Sequence, residues 1–412
     1  MNILFICSWF PYPPDNGSRI RSFNLIKALS KKHRISLMSF RQSDVSGKDI
    51  ESLKEYCNDI KAIYFKSFNP KSFKAFWGFF NLTTPRSLID IYNKEMQENV
   101  CNIIKDQKID LIICTEPQVV LYARKFKKIP KIYSEVEYPP LPISRGETFK
   151  DLIIYKLRYW KSVNFLKKIL SEFDGYGTAS EITRQKVSEI NSSILNEIIP
   201  NGVDIPNHSL SFIKEQKNTI IYSGSMTYGA NYDAMEYFLG KIYPLIRKEI
   251  KDIKLKITGS IENVDINKLK ADNSVELTGY VNDIKSLIIS SDVCIVPLRV
   301  GGGTRLKIVE AMALGTPVVS TSKGAEGIEG LKPVLSSGAS TLEPGTFYNI
   351  WIEDEPENFA KGVVELLKNR EFAEQMAINA RKLVEERYDW KMIGEKFGIF
   401  IEKVIEKKKN SI

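Results

Sequence analysis

The residue types best able to do chemistry in this chain lie in "RVGGGTRLKIVEAMALGTPVV", residues 299–319. Three glycines follow the strand-like run "DVCIVPL" and precede an apolar helical run. Glycine lets a ligand approach the main chain closely. A helix N-terminus adds unsatisfied N–H groups and the positive end of a dipole. The spacing therefore predicts an anion site at Gly302, Gly303 and Thr304, with Thr304 capping a helix that reaches about Leu314 and stops at Gly315 and Pro317. Arg305 and Lys307 fall in the first turn, where cations oppose the dipole unless an anion is bound, and this favours a diphosphate. No Walker A spacing occurs in the motif. No DxD triplet ends a strand to hold a divalent metal, so no metal is expected.

Along that helix Thr304, Lys307 and Glu310 recur at three-residue steps on one side. Leu306, Val309 and Ala313 take the adjoining face and Ile308 and Met312 another, so the helix reads as buried almost all round. A carboxylate there is costly unless something hydrogen-bonds to it. The vicinal hydroxyls of a ribose would do so, as acidic residues show in dinucleotide folds. Glu310 lies roughly 9 Å beyond the cap along the helix axis, about the separation of a nucleotide's ribose from its distal phosphate. The alternative is a Lys307–Glu310 salt bridge, which belongs on an exposed face.

These residues must be positioned by a larger frame. A chain of 412 residues exceeds what one core usually supports, so two domains of roughly 200 residues each are expected. β-rich runs alternate with amphipathic stretches from end to end, the pattern of parallel α/β units. Strands are expected at "NILFICS", "RISLMSF", "AIYFK", "DLIICT", "KIYSEVE" and "DGYGTAS", then at "TIIYSGS", "KLKITG", "VELTG", "DVCIVPL" and "PVVSTS". The fold class is thus α/β, two doubly wound Rossmann-like domains facing a cleft. The domains are placed at 1–200 and 201–385, with a hinge in "IIPNGVDIPNHS" and a C-terminal helix over 386–412 packing back toward the first domain. The basic tail "EKVIEKKKNSI" is expected to fray. The "WIEDEP" carboxylates read as a helix start. In the first domain, Gly17 precedes a helix whose Ile20, Phe23, Leu25, Ile26 and Leu29 pack inward. This repeats the strand–glycine–helix arrangement and suggests that both halves grip one ligand.

The bulk numbers exclude several classes of function. With only His33 and His208, a histidine-rich metal site is ruled out and a Ser-His-Asp triad is disfavoured. The cysteines Cys7, Cys57, Cys101, Cys114 and Cys294 are scattered and read as reduced core residues. A formal net charge of +9 suits nucleic acid, an anionic membrane or phosphorylated substrates; the lack of zinc-finger spacing and RNP-type aromatics lowers the first. The apolar opening lacks a basic n-region and reads as a strand, and no uncharged run is long enough to span a bilayer, so a cytoplasmic location is expected. One segment stands apart. Residues 66–80, "KSFNPKSFKAFWGFF", interleave lysines with aromatics. They read either as a helix packing its rings onto the first domain or as an interfacial segment contacting an anionic membrane, at the inner face of the cell membrane.

The segments "PPDNGSRIRSFNLIKAL", "IIPNGVDIP", "IIYSGSMTYGANYDAMEYFLGKIYPLIR", "LTGYVNDIKSLIISSDVCIVPLRVGGGTRLKIVEAMALGTPVVSTSKGAEGI" and "ERYDW" together resemble the GT-B glycosyltransferases of the large retaining family four. The resemblance implies that the second domain binds a sugar nucleotide and the first an acceptor. Glu310 matches the family's ribose-binding glutamate, the second of a Glu-x7-Glu pair. The first of that pair is replaced by Gly302. Where many members carry an arginine and a lysine on the diphosphate, this chain has Ser225 and Asn231, and Arg305 or Lys307 is expected to supply the missing charge. Glu137 aligns near the reacting centre, with Glu135 close by, while Tyr280 and Val281 fall near the base. The resemblance thus implies a hexosyl transfer from a nucleoside diphosphate sugar to a saccharide or lipid-linked acceptor, with retention, in bacterial cell-surface polysaccharide biosynthesis. The alternatives are a sugar-nucleotide epimerase of the same fold and a catalytically inactive nucleotide-sugar-binding subunit.

Overall fold

The computed structural model describes residues 1–134, 149–205, 217–262, 264–269, 271–301, 305–334 and 347–410, with the backbone alone for 149–155. Contacts divide the chain into two units, Met1–Asn201 with Trp390–Ile412, and Gly202–Asp389.

In the first unit the strands are β1 Asn2–Cys7, β2 Arg34–Arg41, β3 Asp59–Tyr64, β4 Leu111–Thr115, β5 Lys131–Ser134, β6 Gly175–Thr178 and β7 Leu195–Ile198. They pair in parallel in the order β3-β2-β1-β4-β5-β6-β7. Side chains alternate across a strand, and both faces of β1 are apolar. Leu4 and Ile6 join one core with Met38, Val100 and Ile169. Ile3 and Phe5 join another with Leu25, Ile26 and Phe397. A parallel sheet covered on both faces is the outcome. The helix Gly17–Ser30 carries Leu25, Ile26 and Leu29 inward as expected, but Ile20 and Phe23 are only half-buried while Arg19, Arg21 and Asn24 are buried.

The C-terminal helix begins at Trp390 rather than at 386, because the preceding helix runs unbroken over Arg370–Arg387. It packs on the helix Gly17–Ser30 so closely that a Cβ on Gly394 would fall 2.4 Å from the Ala28 Cβ. The tail does not fray within the described residues. It stays helical through Lys409, with Val404 buried, Lys407 Nζ donating to the Ser193 carbonyl at 2.6 Å and Lys408 Nζ 2.9 Å from Asp174.

The second unit has β8 Thr219–Ser223, β9 Lys254–Thr258, β10 Val275–Gly279, β11 Val293–Val296, β12 Val318–Ser320, β13 Pro333–Val334 and β14 Ile350–Ile352. All pair in parallel, in the order β10-β9-β8-β11-β12-β14-β13. One core of aliphatic and aromatic side chains fills it. Sequence reasoning missed β7, β13 and β14, and began β3 at Ala62 instead of Asp59. "WIEDEP" contributes its first two residues to β14, and a helix follows at Pro356–Lys368. All five cysteines are free, and Cys101 departs from the core reading by being half-buried.

The strand order reverses at β1/β4 in the first sheet and at β8/β11 in the second, whose edge strands β14 and β13 also lie in inverted order. In open α/β sheets the crevice outside the strand C-termini at such a reversal is where ligands bind.

Candidate functional site

At the β8/β11 reversal two loops meet. The first leaves β8 through Gly224 and Ser225 into the helix Gly229–Tyr237. Its neighbour Gly259, with φ 111°, allows contact that no side chain would: a Cβ there would lie 2.6 Å from the Gly224 carbonyl carbon. The second leaves β11 through Arg299 and Gly301 into the helix Leu306–Ala313. Asp233, nearly fully buried, holds Arg299 with both carboxylate oxygens, at 2.6 and 3.1 Å. This ties the second loop to the first helix.

The helix Leu306–Ala313 starts later than the cap expected at Thr304. Arg305 takes the N-cap position, with no side-chain cap bond. A cap needs an acceptor near the freed N–H groups, and here the Arg305 guanidinium instead turns back to pack on Gly301. A Cβ on that glycine, whose φ is 107°, would come within 3.1 Å of it. At the other end the chain stops as anticipated. Gly315, φ 78°, donates to the Met312 carbonyl and Thr316 N to the Ala311 carbonyl, closing a Schellman motif.

Lys307 is the centre of the cluster. Its Nζ donates to the Tyr222 hydroxyl at 2.8 Å and to Asn231 Oδ1 at 3.1 Å, and lies 3.9 Å from the Tyr222 ring centroid. Asn231 is fixed in turn, accepting from the Tyr222 hydroxyl at 2.7 Å and donating to the Ser225 carbonyl at 2.8 Å. The ammonium sits directly over Gly224, where a Cβ would meet it at 2.7 Å. Burial pulls the Lys307 ammonium down to about 7; Cys294 and Glu310 oppose this while Arg305 adds to it. A cation held this loosely to its proton is poised to be claimed by an anion. Thus three residues expected on the donor side, Ser225, Asn231 and Lys307, come together. The lysine reaches from one helix to the asparagine of another.

Glu310 lies one turn further along the same helix, half-buried. Burial raises its carboxyl above the ordinary carboxylate range, against the pull of Lys285 and Lys307. Among the described residues no ion pair joins it to Lys307, and its carboxylate accepts no hydrogen bond. The salt-bridge alternative is therefore set aside. The five positions Ile308, Val309, Ala311, Met312 and Ala313 are buried, while Leu306, Lys307 and Glu310 form the open side. The helix is not buried all round, and the opening runs along the strip that carries the polar groups.

Tyr280 and Val281 follow β10, two strands away from β8; Tyr280 is well exposed and Val281 half-buried. Gly302, Gly303, Thr304, Glu135 and Glu137 lie outside the described residues.

In the first unit Gly17 opens the helix Gly17–Ser30, one position inside the cap Asn16, whose side chain accepts from Arg19 N. Beside it, sequence reasoning missed Glu116. This residue follows β4 at the β1/β4 reversal with φ 72°, a conformation that costs a non-glycine residue of order 1 kcal/mol or more and tends to mark functional positions. Ser18 Oγ donates to Glu116 Oε1 at 2.7 Å. Burial raises its carboxyl, opposed by Ser18 and Arg21. Arg21, fully buried, donates to the Ile199 carbonyl at 2.5 Å and to Ser134 Oγ at 3.1 Å, and burial lowers it to about 10. The signal was present in "LIICTEP": a carboxylate just past a central parallel strand, the same argument that singled out Glu137.

Residues 217–369 match the family model for glycosyl transferases group 1. Over 420 aligned residues, 95% of this chain and 97% of the relative, the chain is 24% identical to an uncharacterized 44.6 kDa protein in the cps region of Klebsiella pneumoniae. Among solved structures it is similar to sucrose-phosphate synthase from Thermosynechococcus elongatus, with TM-score 0.68 and 14% identity over 99% of this chain and 100% of that one. It is also similar to Anabaena HepE in complex with UDP, with TM-score 0.61 and 14% identity over 98% and 100%. At these identities the structures establish the fold, two Rossmann-like α/β units of the GT-B class.

Proposed function

We propose, from the premise that residues 217–369 form a glycosyl transferases group 1 domain, that this chain moves a hexosyl group from a nucleoside diphosphate sugar to a saccharide or lipid-linked acceptor with retention, in the assembly of cell-surface polysaccharide. The observation that carries the reading is the placement of Lys307 and Glu310, not bonded to each other, along the open side of one helix. A desolvated ammonium is held at the β8/β11 reversal by Tyr222 and Asn231, and a half-buried carboxylate without a hydrogen-bond donor among the described residues stands one helical turn beyond it.

In this reading the ammonium, the helix dipole and the main-chain amides of the glycine loop stabilise charge on the departing diphosphate. Glu310 accepts from the ribose hydroxyls. Arg305, buried at the helix start, adds positive potential; it contacts Gly301 rather than reaching outward. Gly302 stands where related sequences carry a carboxylate, so main-chain amides there take over contact with the sugar. Departure of the diphosphate calls for no metal and no covalent nucleophile in this scheme. The relative from a cps region and the UDP bound by HepE support the setting and the class of donor.

The first unit supplies the acceptor side, with Glu116 as the group that orients an acceptor hydroxyl. Glu116→Gln, which keeps the shape and removes the charge, is expected to lower kcat about 10²-fold while leaving nucleotide affinity unchanged. Steady-state rates and nucleotide titrations check this; equal loss of nucleotide binding would mean a merely structural role.

The test of the function is to screen UDP-, GDP- and ADP-sugars by thermal shift on the full chain, since a ligand bound only by the folded state raises its stability. The donor that binds is then incubated with saccharide and lipid-linked acceptors. The expected product carries a new glycosidic bond of the donor's anomeric configuration. Conversion of the donor to its epimer, or binding without any turnover, would overturn the reading.

A further inference from the structure

The segment 66–86 contains Lys66, Lys71, Lys74 and Arg86 and no acidic residue. Its helix Phe73–Trp77 buries only Ala75. Phe73, Phe76, Trp77, Phe79 and Phe80 are each more than half exposed, which sets aside the first of the two sequence readings, rings packed onto the first domain. They pack instead on one another, Phe76 with Trp77 at 5.9 Å, Phe76 with Phe80 at 6.0 Å and Phe79 with Phe80 at 5.8 Å between centroids. The result is a continuous apolar face.

That face is held in place rather than left loose. Ser72 caps the helix and bonds the fully buried Asp90, which also accepts from Asn69 N at 2.8 Å. Lys161, from the helix Phe149–Glu172, donates its Nζ to the Phe79 carbonyl at 2.6 Å. On that same helix Leu157 and Trp160 are exposed, with Lys156 and Arg158 beside Leu157. Contiguous aromatic exposure on a folded unit marks an interaction surface.

We propose that this face docks on an anionic lipid bilayer. Aromatic rings settle at the headgroup level while flanking lysines and arginines meet the anionic surface. Charge complementarity selects the occupant: the segment offers only positive charge, within a chain of net charge +9, whereas a protein-binding patch is ringed by a mixed polar rim. No described helix is long and apolar enough to cross a membrane, so contact is peripheral. The proposal does not depend on the glycosyl-transfer reading.

Co-sedimentation of the full chain with phosphatidylcholine vesicles, and with vesicles containing about one third phosphatidylglycerol, tests it. The parent is expected to bind the anionic vesicles and not the neutral ones, less so in high salt. Phe76→Ser with Trp77→Ser should weaken binding about tenfold or more, with an unchanged melting temperature because both rings are exposed. Lys71→Glu with Lys74→Glu should do so through charge alone. Three results would overturn the proposal: no vesicle binding by the parent, undiminished binding by both double variants, or a parent dimer that the serine variant dissolves while vesicle binding is absent.

Discussion

Lys307→Met is expected to lower kcat about 10²- to 10³-fold, the range seen when one preorganised group facing developing charge is removed. The side chain is not replaceable by its neighbours. Asn231 and the Tyr222 hydroxyl are neutral, and Arg305 packs against Gly301. Methionine keeps the volume over Gly224, so the loss reports charge rather than packing. The free protein also makes a pH prediction. Burial lowers the Lys307 ammonium to about 7, and a bound diphosphate, favouring the charged form, raises it. Affinity for a nucleoside diphosphate sugar, whose diphosphate diester does not titrate in this range, should therefore be level below about pH 7. Above that it weakens, by about tenfold per pH unit, until the raised value of the complex is reached. Titration calorimetry across pH 6–9 checks the sign. Lys307→Arg, charged throughout, should flatten the profile; an unaltered profile in that variant would remove Lys307 from the binding step.

The second large effect belongs to Glu310. Glu310→Ala is expected to weaken nucleoside diphosphate binding about 10²-fold, the loss of charge-assisted hydrogen bonds to two hydroxyls at about 1.5–3 kcal/mol each, partly offset by water. The diagnostic is discrimination. The parent should prefer a ribonucleotide to its 2′,3′-dideoxy form, and the variant should bind the two alike. A linked consequence concerns stability. Burial raises the Glu310 carboxyl, so ionisation costs the ligand-free fold free energy; the cost is complete above the folded-state value and fades to nothing only as pH falls through the lower, ordinary carboxylate value of the unfolded chain. Glu310→Gln should accordingly raise Tm of the ligand-free protein at neutral pH. A site optimised for a ligand rather than for the empty fold behaves this way.

Much of the frame was legible because parallel strands buried on both faces are long apolar runs, as in "NILFICS" and "TIIYSGS". Three strands were not. β7, "LNEI", is half-buried and polar at its centre, while β13 and β14 are only two and three residues long, too short for periodicity to register. In the site, helical spacing brought out Lys307 and Glu310, yet the partnership of Lys307 with Asn231 and Tyr222 is tertiary and leaves no trace in spacing. The helix starts at Leu306 with Arg305 at its N-cap and the guanidinium turned back on Gly301, a local choice that propensity does not encode; Thr304 lies outside the described residues. Glu116 was legible as a carboxylate just past a central strand and was passed over; the left-handed backbone that sets it apart is visible only in coordinates. For the aromatic segment, pattern alone could not decide between packing inward and facing outward, since both call for the same residues.

Every expectation for the second unit rests on a diphosphate docking at the β8/β11 reversal with Glu310 on the attached ribose. A crystal structure of the chain with the nucleoside diphosphate that gives the largest thermal shift puts this to the test. A phosphate oxygen is expected within hydrogen-bond reach of Lys307 Nζ, about 2.7–3.2 Å, and the ribose hydroxyls at similar distance from the Glu310 carboxylate. A nucleotide bound elsewhere in the second unit, or one whose ribose leaves Glu310 in open solvent, would refute the docking.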